Sequence, residues 1–579
     1  MARLDYFAPG VYVEEINRGS RPIEGVSMSV AGFLGFTEDI RGDAELFRPM
    51  LVTDWSQYLQ YFGKPGSDGF TTFGAYLPYA VRGWFENGGG RCWIVSIGTQ
   101  LPYEDGQKVP EDKTAITSVN TPGKLLSFKL SLKENQSSQG RLTVLIENDE
   151  PIPSSNTNEE PFDTGEFFKI KVIRPDGEPV VFRNITMDPK ENNRDGNYIG
   201  RAVSQPQNGE NTTTLLSDLV NIEIEPQQGS FALSWRPANG RYDIKPPREN
   251  YPKSLLYQKV YGSPKNRTGM KGLFEIDDVA MIACPDLMLA YEKRIISAEQ
   301  LKFLMEMMVT GCENSAPSPP YKMVVLDAPP VKRANQFFED TNERGERVSP
   351  QQHSPQDVEE WLDYLGRRSQ FAALYYPWVQ VINPKNSEPV FVPPCGHMMG
   401  IWCQTDETRG IYKAPANIVP RGIGGLAYDV NFREQELLNP KGINCIRKFR
   451  DRGTLVWGAR TLADPKNDID WRYISVRRLM SYISKSIEQG TQWAVFEPND
   501  QDLWARVKRT VTNFLERLWR EGALFGATAE EAFYVKCDAE LNRPETMRLG
   551  QLIVEVGVCP VRPAEFVIFR ISQWNGQNE

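Results

Sequence analysis

Val279-Ala-Met-Ile-Ala283, Ser297-Ala-Glu-Gln300, Met323-Val-Val-Leu326, Ser354-Pro-Gln-Asp357 and Phe371-Ala-Ala-Leu-Tyr-Tyr376 follow one another along a single stretch, and their order decides the fold class. The three apolar runs are too short for helices and read as buried strands. Ser297 with Gln300 three residues on is a capping box, which opens a helix running to about Gly311. Ser354 opens a second helix, with Pro355 at its first position and Asp357 in its first turn. Strand-helix-strand-helix-strand implies a parallel sheet covered by helices on both faces.

The same pattern extends upstream. Val30–Phe36 and Cys92–Ile97 are apolar strands, and Asp54–Phe62 and Tyr76–Phe85 have helical spacing. Gly88–Gly90 follows a helix and precedes a strand, the reverse of a phosphate loop, and reads as a helix stop. Residues 26–98 plus 251–440 are thus expected to form one α/β domain. Residues 99–250 are rich in Pro, Asn, Gln, Ser and Thr. Short alternating runs recur there at Leu125–Leu132, Arg141–Glu147, Phe167–Ile173, Asn221–Glu225 and Ser230–Trp235. An inserted β-rich domain is expected.

Residues 441–560 hold two strongly patterned helices. In Trp471–Gln489 the residues Val476, Met480, Ile483 and Ile487 share a face, with Arg477, Arg478 and Lys485 off it. In Gln501–Glu521 the stripe is Trp504, Val507, Val511, Phe514 and Leu518, with the arginines largely outside it. A short helix at Thr528-Ala-Glu-Glu531 then leads into a strand at Phe533–Lys536. The two ends of the chain, 1–25 and 561–579, read as extended arms. Val11-Tyr12-Val13 is flanked by Pro9-Gly10 and by Arg18–Pro22. Phe566–Phe569 is apolar on both faces, so the strand Ala564–Trp574 is expected either to be covered on both sides or to pair with another chain.

Hydrophobic residues at 40% and charged residues at 24% exclude a wholly disordered chain, and 63 aromatics supply large cores or interfaces. No apolar run reaches the roughly 20 residues of a membrane span. The opening MARLDYFAPGVYVEE lacks the apolar core of a signal peptide, so synthesis and retention in the cytoplasm are expected. The eight cysteines form no Cys-x-x-Cys pair and read as buried, reduced thiols. Net charge is −9, yet residues 441–520 carry 16 Lys/Arg against 9 Asp/Glu, a local +7. That contrast implies either solvated basic helix faces or a face that meets an acidic partner. No motif of a nucleic-acid reader accompanies it.

No catalytic centre assembles from the sequence. The two histidines, His353 and His397, stand outside any metal or hydrolase motif. Asn467-Asp-Ile-Asp470 lacks the glycine and distal glutamate of a calcium loop and reads as a helix cap. Gly422-Ile-Gly-Gly425 follows a turn and not a strand. No catalytic, cofactor or metal residue is assigned, and a structural or binding protein is expected.

Several stretches resemble the sheath protein of contractile tails, as found in myophages, tailocins and extracellular contractile injection systems. They are Tyr6–Glu15 (YFAPGVYVEE), Tyr76–Val95 (YLPYAVRGWFENGGGRCWIV), Ala414–Leu426 (APANIVPRGIGGL), and a dense series over 438–574. That series comprises LNPKGINCIRKF, VWGARTL, WRYISVRRLMSYI, GTQWAVFEPND, LWARVKRTVTNFLERLWREGAL, EEAFYVKCD and PVRPAEFVIFRI. Residues 99–250 match least.

The resemblance implies a multidomain α/β (α+β) protein. Its parts would be an N-terminal arm (1–25), a subtilisin-like α/β middle domain without peptidase function (26–98 plus 251–440), an inserted outward-facing β-rich domain (99–250), a sheath C-terminal α/β domain (441–560) and a C-terminal arm (561–579). It implies a non-enzymatic subunit without cofactor. The subunit would polymerise as stacked rings around an inner tube and contract from a metastable extended state to drive the tube through a target envelope. Its partners would be further copies of itself, the inner tube protein, and baseplate and terminal cap proteins, with neither nucleic acid nor direct membrane insertion. Assembly would take place in the cytoplasm of the producing bacterium, as part of a phage tail or tail-like particle that is released or membrane-anchored. Val11, Tyr12, Val13, Phe566, Val567, Ile568, Phe569 and Ile571 would form inter-subunit strands, with Arg18–Pro22 and Pro560–Pro563 as flexible linkers. Arg506, Lys508, Arg509, Arg517 and Arg520 would face an acidic tube. The competing readings are a subtilisin-like hydrolase and a baseplate or receptor-binding protein.

Overall fold

The computed structural model describes residues 22–105, 117–123, 126–132, 142–149, 167–173, 179–187, 197–200, 204–206, 213–224, 235–244, 251–315, 320–329 and 354–568. Val11–Val13, His353, Phe569 and Ile571 lie outside them. Two compact units are present, residues 103–252 and the remainder.

The larger unit is built on an eight-stranded sheet. Its spatial order is Pro49–Val52, Arg91–Gly98, Val30–Phe36, Met281–Ala283, Met323–Asp327, Ala372–Tyr376, Ile443–Phe449 and Gly453–Val456. The six inner strands pair in parallel, and the strand at each edge is antiparallel to its neighbour. Val30–Phe36, Met323–Asp327 and Ala372–Tyr376 are buried at every residue, as strands covered on both faces must be. Both capping boxes form: Ser297 starts the helix Ala298–Glu313 and Ser354 starts Pro355–Leu365. The fold is mixed α/β.

One boundary is corrected. A separate domain does not begin at residue 441, because Ile443–Phe449 pairs with Ala372–Tyr376 inside this sheet. Leu462 then donates its backbone N–H to Ala372 at 2.8 Å. Apolar alternation on a short hairpin cannot tell a sheet edge from the start of a new domain.

The segment Pro393–Gly400 is rich in Pro and Gly. It opens the helix Cys395–Arg409, whose residues from Cys395 to Cys403 are all buried. A helix buried all round shows no amphipathic stripe, so periodicity cannot reveal it. Its Gly396 and Gly400 let it ride on the helix Leu77–Glu86: a Cβ at Gly396 would stand 2.1 Å from the Ala80 carbonyl oxygen. His397 is buried in this crossing, and burial lowers its pKa to about 4.

The chain order reverses between Val30–Phe36 and Met281–Ala283, and open α/β sheets place ligands beyond the strand ends at such a point. At this point of the sheet stands Asp286, just after the strand Met281–Ala283. Asp286, fully buried, accepts the backbone N–H of Phe36 and of Tyr76 at 2.6 Å each, and that of Leu77 at 3.4 Å. It thereby ties the end of the central strand to the start of a covering helix. Burial pushes its carboxyl up to about 7, with the three N–H groups pulling the other way.

The smaller unit has its own apolar core, including Phe128, Val144, Phe168, Ile170, Phe182 and Ile185. It contains a five-stranded sheet (Gly240–Ile244, Leu142–Asn148, Phe168–Ile173, Val180–Thr186, Asn197–Tyr198) and a three-stranded one (Val220–Ile224, Leu126–Leu132, Thr117–Asn120). Of the run 230–235 expected as a strand, only Trp235 is described, and it lies in a 3-10 turn.

Asp286→Asn replaces one acceptor oxygen by a donor facing backbone N–H groups. Urea denaturation is expected to show a loss of about 1–3 kcal/mol, whereas an exposed control such as Glu545→Gln should stay within about 0.5 kcal/mol.

Candidate assembly surface

The helix Gln501–Arg520 begins at Asp500, whose carboxylate accepts the Leu503 N–H at 2.8 Å. Trp504, Val507, Val511, Phe514 and Leu518 are all buried, in a core shared with Leu479, Ile483, Phe533 and Val535. The five basic residues outside this stripe divide into two groups. Arg506 pairs with Glu497 and Asp502, at 3.2 Å each, and stacks on Trp493; Arg520 pairs with Glu516. Arg517 donates to the Ile23 carbonyl at 2.8 Å. Lys508 and Arg509 are exposed and pair with none of the described residues.

On the helix Ile474–Gly490 the expectation of a solvated basic face is corrected. Arg477, Arg478 and Lys485 are 6%, 3% and 5% exposed. Arg478 makes a two-pronged ion pair with Asp406, donates to the Met28 carbonyl at 3.1 Å, and lies over Trp402. Arg477 is sandwiched by Trp471 and Phe371 and bonds Gln370 at 2.8 Å. Lys485 reaches the Asp277 carbonyl across the Tyr321 ring. Lys322 lies over that ring too and donates to Ile276 O at 2.7 Å. Burial, then the neighbouring Lys485 charge, lowers Lys322 to about 8. Much of the local positive charge therefore serves packing between the helix and the sheet domain. Helical spacing places these residues off the apolar stripe but carries no information about a second apolar neighbour.

Phe533–Lys536 and Glu555–Val558 form a two-stranded antiparallel sheet. Phe533 and Val535 face the helical core, and Tyr534 is 53% exposed. Each strand has one partner, so among the described residues both outer edges are unpaired. A two-stranded sheet with free edges is a template for further strands.

Ile23 is buried against Gly490 and the helical core. At the other end, Phe566, Val567 and Ile568 are 69%, 70% and 80% exposed and belong to no strand. Covering on both sides within the chain, one of the two expectations, is not what these three residues have. The expected linker Pro560–Pro563 is tied down: Val561 N–H bonds Ala523 O at 3.1 Å and Arg562 pairs with Asp470. Seven cysteines are buried and Cys559 is exposed. Among the described residues no group of three or more His, Cys, Asp or Glu is placed to hold a metal, and no helix is long and apolar enough to cross a membrane.

Residues 344–462 match the phage tail sheath protein central domain and residues 466–573 the phage tail sheath C-terminal domain. Over this stretch the chain is similar to two domains of phage tail sheath proteins. The chain is 26% identical over 208 residues to the tail sheath protein of Salmonella phage ViI, covering 35% of this chain and 32% of that protein. It is 28% identical over 207 residues to a protein described as a prophage major tail sheath protein of Pseudomonas aeruginosa (strain UCBPP-PA14), covering 34% and 51%. The matched region thus spans from about a third to half the length of these curated relatives. In fold, the chain superimposes on the contracted sheath of the anti-feeding prophage (TM-score 0.51, 21% identity, 98% of this chain and 100% of that one). It does so equally on the contracted PVC sheath of an extracellular contractile injection system (TM-score 0.51, 20% identity, 99% of each chain).

Two predictions follow from the buried cations. Asp406→Ala, which strands Arg478 without a counter-charge, should cost about 3–5 kcal/mol, and Glu497→Ala at the exposed Arg506 pair under about 1 kcal/mol, both read by urea denaturation. A lysine held at a lowered pKa contributes stability that is present above its unfolded pKa and lost as pH falls through its folded one. The stability of the wild type relative to Lys322→Met is therefore expected to rise between about pH 8 and pH 10 by about 3 kcal/mol, and a flat difference would contradict the burial effect.

Proposed function

We propose that this protein is the sheath subunit of a contractile phage tail or tail-like particle. It polymerises as stacked rings around an inner tube and contracts from a metastable extended state to drive the tube through an envelope. The observation that carries this reading is the pairing of opposites in one chain. A two-stranded sheet has free edges, and an apolar terminal segment, Phe566–Ile568, has no sheet of its own. The matches to sheath central and C-terminal domains support it. A segment that completes a neighbour's sheet while its own sheet is completed by another neighbour generates rings or helices, never a closed pair. Partners on this reading are further copies, the tube protein, and baseplate and cap proteins, and the role is mechanical and not enzymatic.

In this assembly Val11–Val13 and Phe566–Ile571 are the exchanged strands. Each added strand residue contributes about 0.5–1.5 kcal/mol per net hydrogen bond, and each buried apolar side chain about 1.5–3 kcal/mol. The basic residues left free to meet an acidic tube are Lys508 and Arg509. Arg506, Arg517 and Arg520 are engaged within the chain, which narrows the five residues singled out in the sequence to two.

A chain ending at Glu565, or carrying Val567→Pro, is expected to melt like the wild type yet form no hollow cylinders under the electron microscope, because proline removes a ladder donor. Full-length cylinders from either variant would refute strand exchange. Lys508→Glu with Arg509→Glu should leave cylinders of the sheath alone intact while abolishing co-sedimentation with tube, and unchanged tube capture at low salt would remove these residues from the tube face.

A further inference from the structure

The residue preceding the exposed apolar segment is held more firmly than anything near it. Glu565 accepts from Arg460 Nε at 2.9 Å and 3.1 Å and from Arg460 Nη2 at 2.6 Å. It also accepts from the Tyr473 hydroxyl at 2.9 Å and Asn439 Nδ2 at 2.7 Å. These contacts hold its carboxyl below the usual glutamate range, against the opposing effect of burial. Arg460 is itself fixed. Its Nη1 donates to Asn439 O at 3.0 Å, and its backbone N–H donates to Asn444 Oδ1 at 2.7 Å. Asn444, fully buried on the strand Ile443–Phe449, donates in turn to Arg460 O at 2.8 Å and to Leu374 O on the next strand at 3.1 Å.

This anchor buries no core. The three residues after it are exposed, and residues 561–565 lie in neither helix nor strand. Fixing such a backbone costs conformational entropy, and charge-assisted hydrogen bonds converging on one carboxylate offset it. What the anchor determines is where residue 566 starts and in which body a pull on it is felt. The bonds run from Glu565 through Arg460 and Asn444 into two strands of the large sheet. Without them, the tail would be held by the Val561 N–H on Ala523 O and by the exposed ion pair of Arg562 with Asp470.

We propose that Glu565 is the positioning residue of the C-terminal arm. Clamped by Arg460, Tyr473 and Asn439, it aims Phe566 and the residues beyond toward the free-edged sheet of a second copy of this chain, and it passes the tension of contraction into the eight-stranded sheet. The inference rests on the strand-exchange reading above and adds to it the point at which the arm is fixed. The free arm then begins after Glu565 and not at the Pro560–Pro563 segment.

The test uses the full chain with Cys559→Ser and a nitroxide on Phe566→Cys, comparing Glu565 with Glu565→Gln and with the double variant Arg460→Met/Glu565→Met. The double variant leaves no unpaired charge and guards against simple misfolding. The expected result is a sharper, more mobile nitroxide spectrum in both variants, melting within about 3 °C of the parent, and at least a tenfold drop in cylinders that reach parental length. A spectrum unchanged in both variants would show that the clamp does not hold the arm, and a mobile spectrum with parental cylinders that contract normally would show that clamping has no role in assembly. The chain truncated at Glu565 separates the two levels. If it forms cylinders, strand exchange fails and this inference with it. If it does not while the clamp variants assemble normally, only the role of Glu565 is refuted.

Discussion

Three cations on one helix must be satisfied before the rest of this chain can hold together. Arg477, Arg478 and Lys485 enter the interior between the C-terminal helices and the eight-stranded sheet, and each finds either a carboxylate, a carbonyl or an aromatic face. A buried charge without a partner costs several kcal/mol, so these residues are tolerable only if Asp406, Asp277 O, Trp471 and Phe371 are all where they are. The helix is thereby committed to one seat. The two regions that match separate sheath domains are joined through these polar contacts.

Ile23 is held by apolar burial and an arginine–carbonyl bond, and Glu565 by convergent bonds on a carboxylate. Between them stands a two-stranded sheet too small to be stable without its helical backing and open along both edges.

The parallel sheet also shows how a buried carboxylate can tie strand ends to a covering helix. The strand-order reversal that opens a crevice in other α/β proteins is here stapled by Asp286, and the neighbouring helices cross so closely at Gly396 that no side chain fits between them.

Much of this was legible in the residues. Apolar strands alternating with capped helices specify a doubly covered parallel sheet, because only that arrangement buries such runs, and the Ser297 and Ser354 boxes mark helix starts by local hydrogen bonding alone. The stripe from Trp504 to Leu518 names the core face of its helix for the same local reason. What the sequence could not show is which off-stripe residues meet a second element. Arg477 and Arg478 look like a solvated face until the helix Cys395–Arg409 and the Trp471 ring are placed beside them, and that helix was itself hidden by being apolar on every side. The pairing of Ile443–Phe449 with the sheet and the capture of Glu565 by Arg460, 105 residues away, likewise depend on contacts distant in sequence. Local pattern determines which elements form, and only the tertiary structure decides which charges are buried, which edges stay open and where each arm begins.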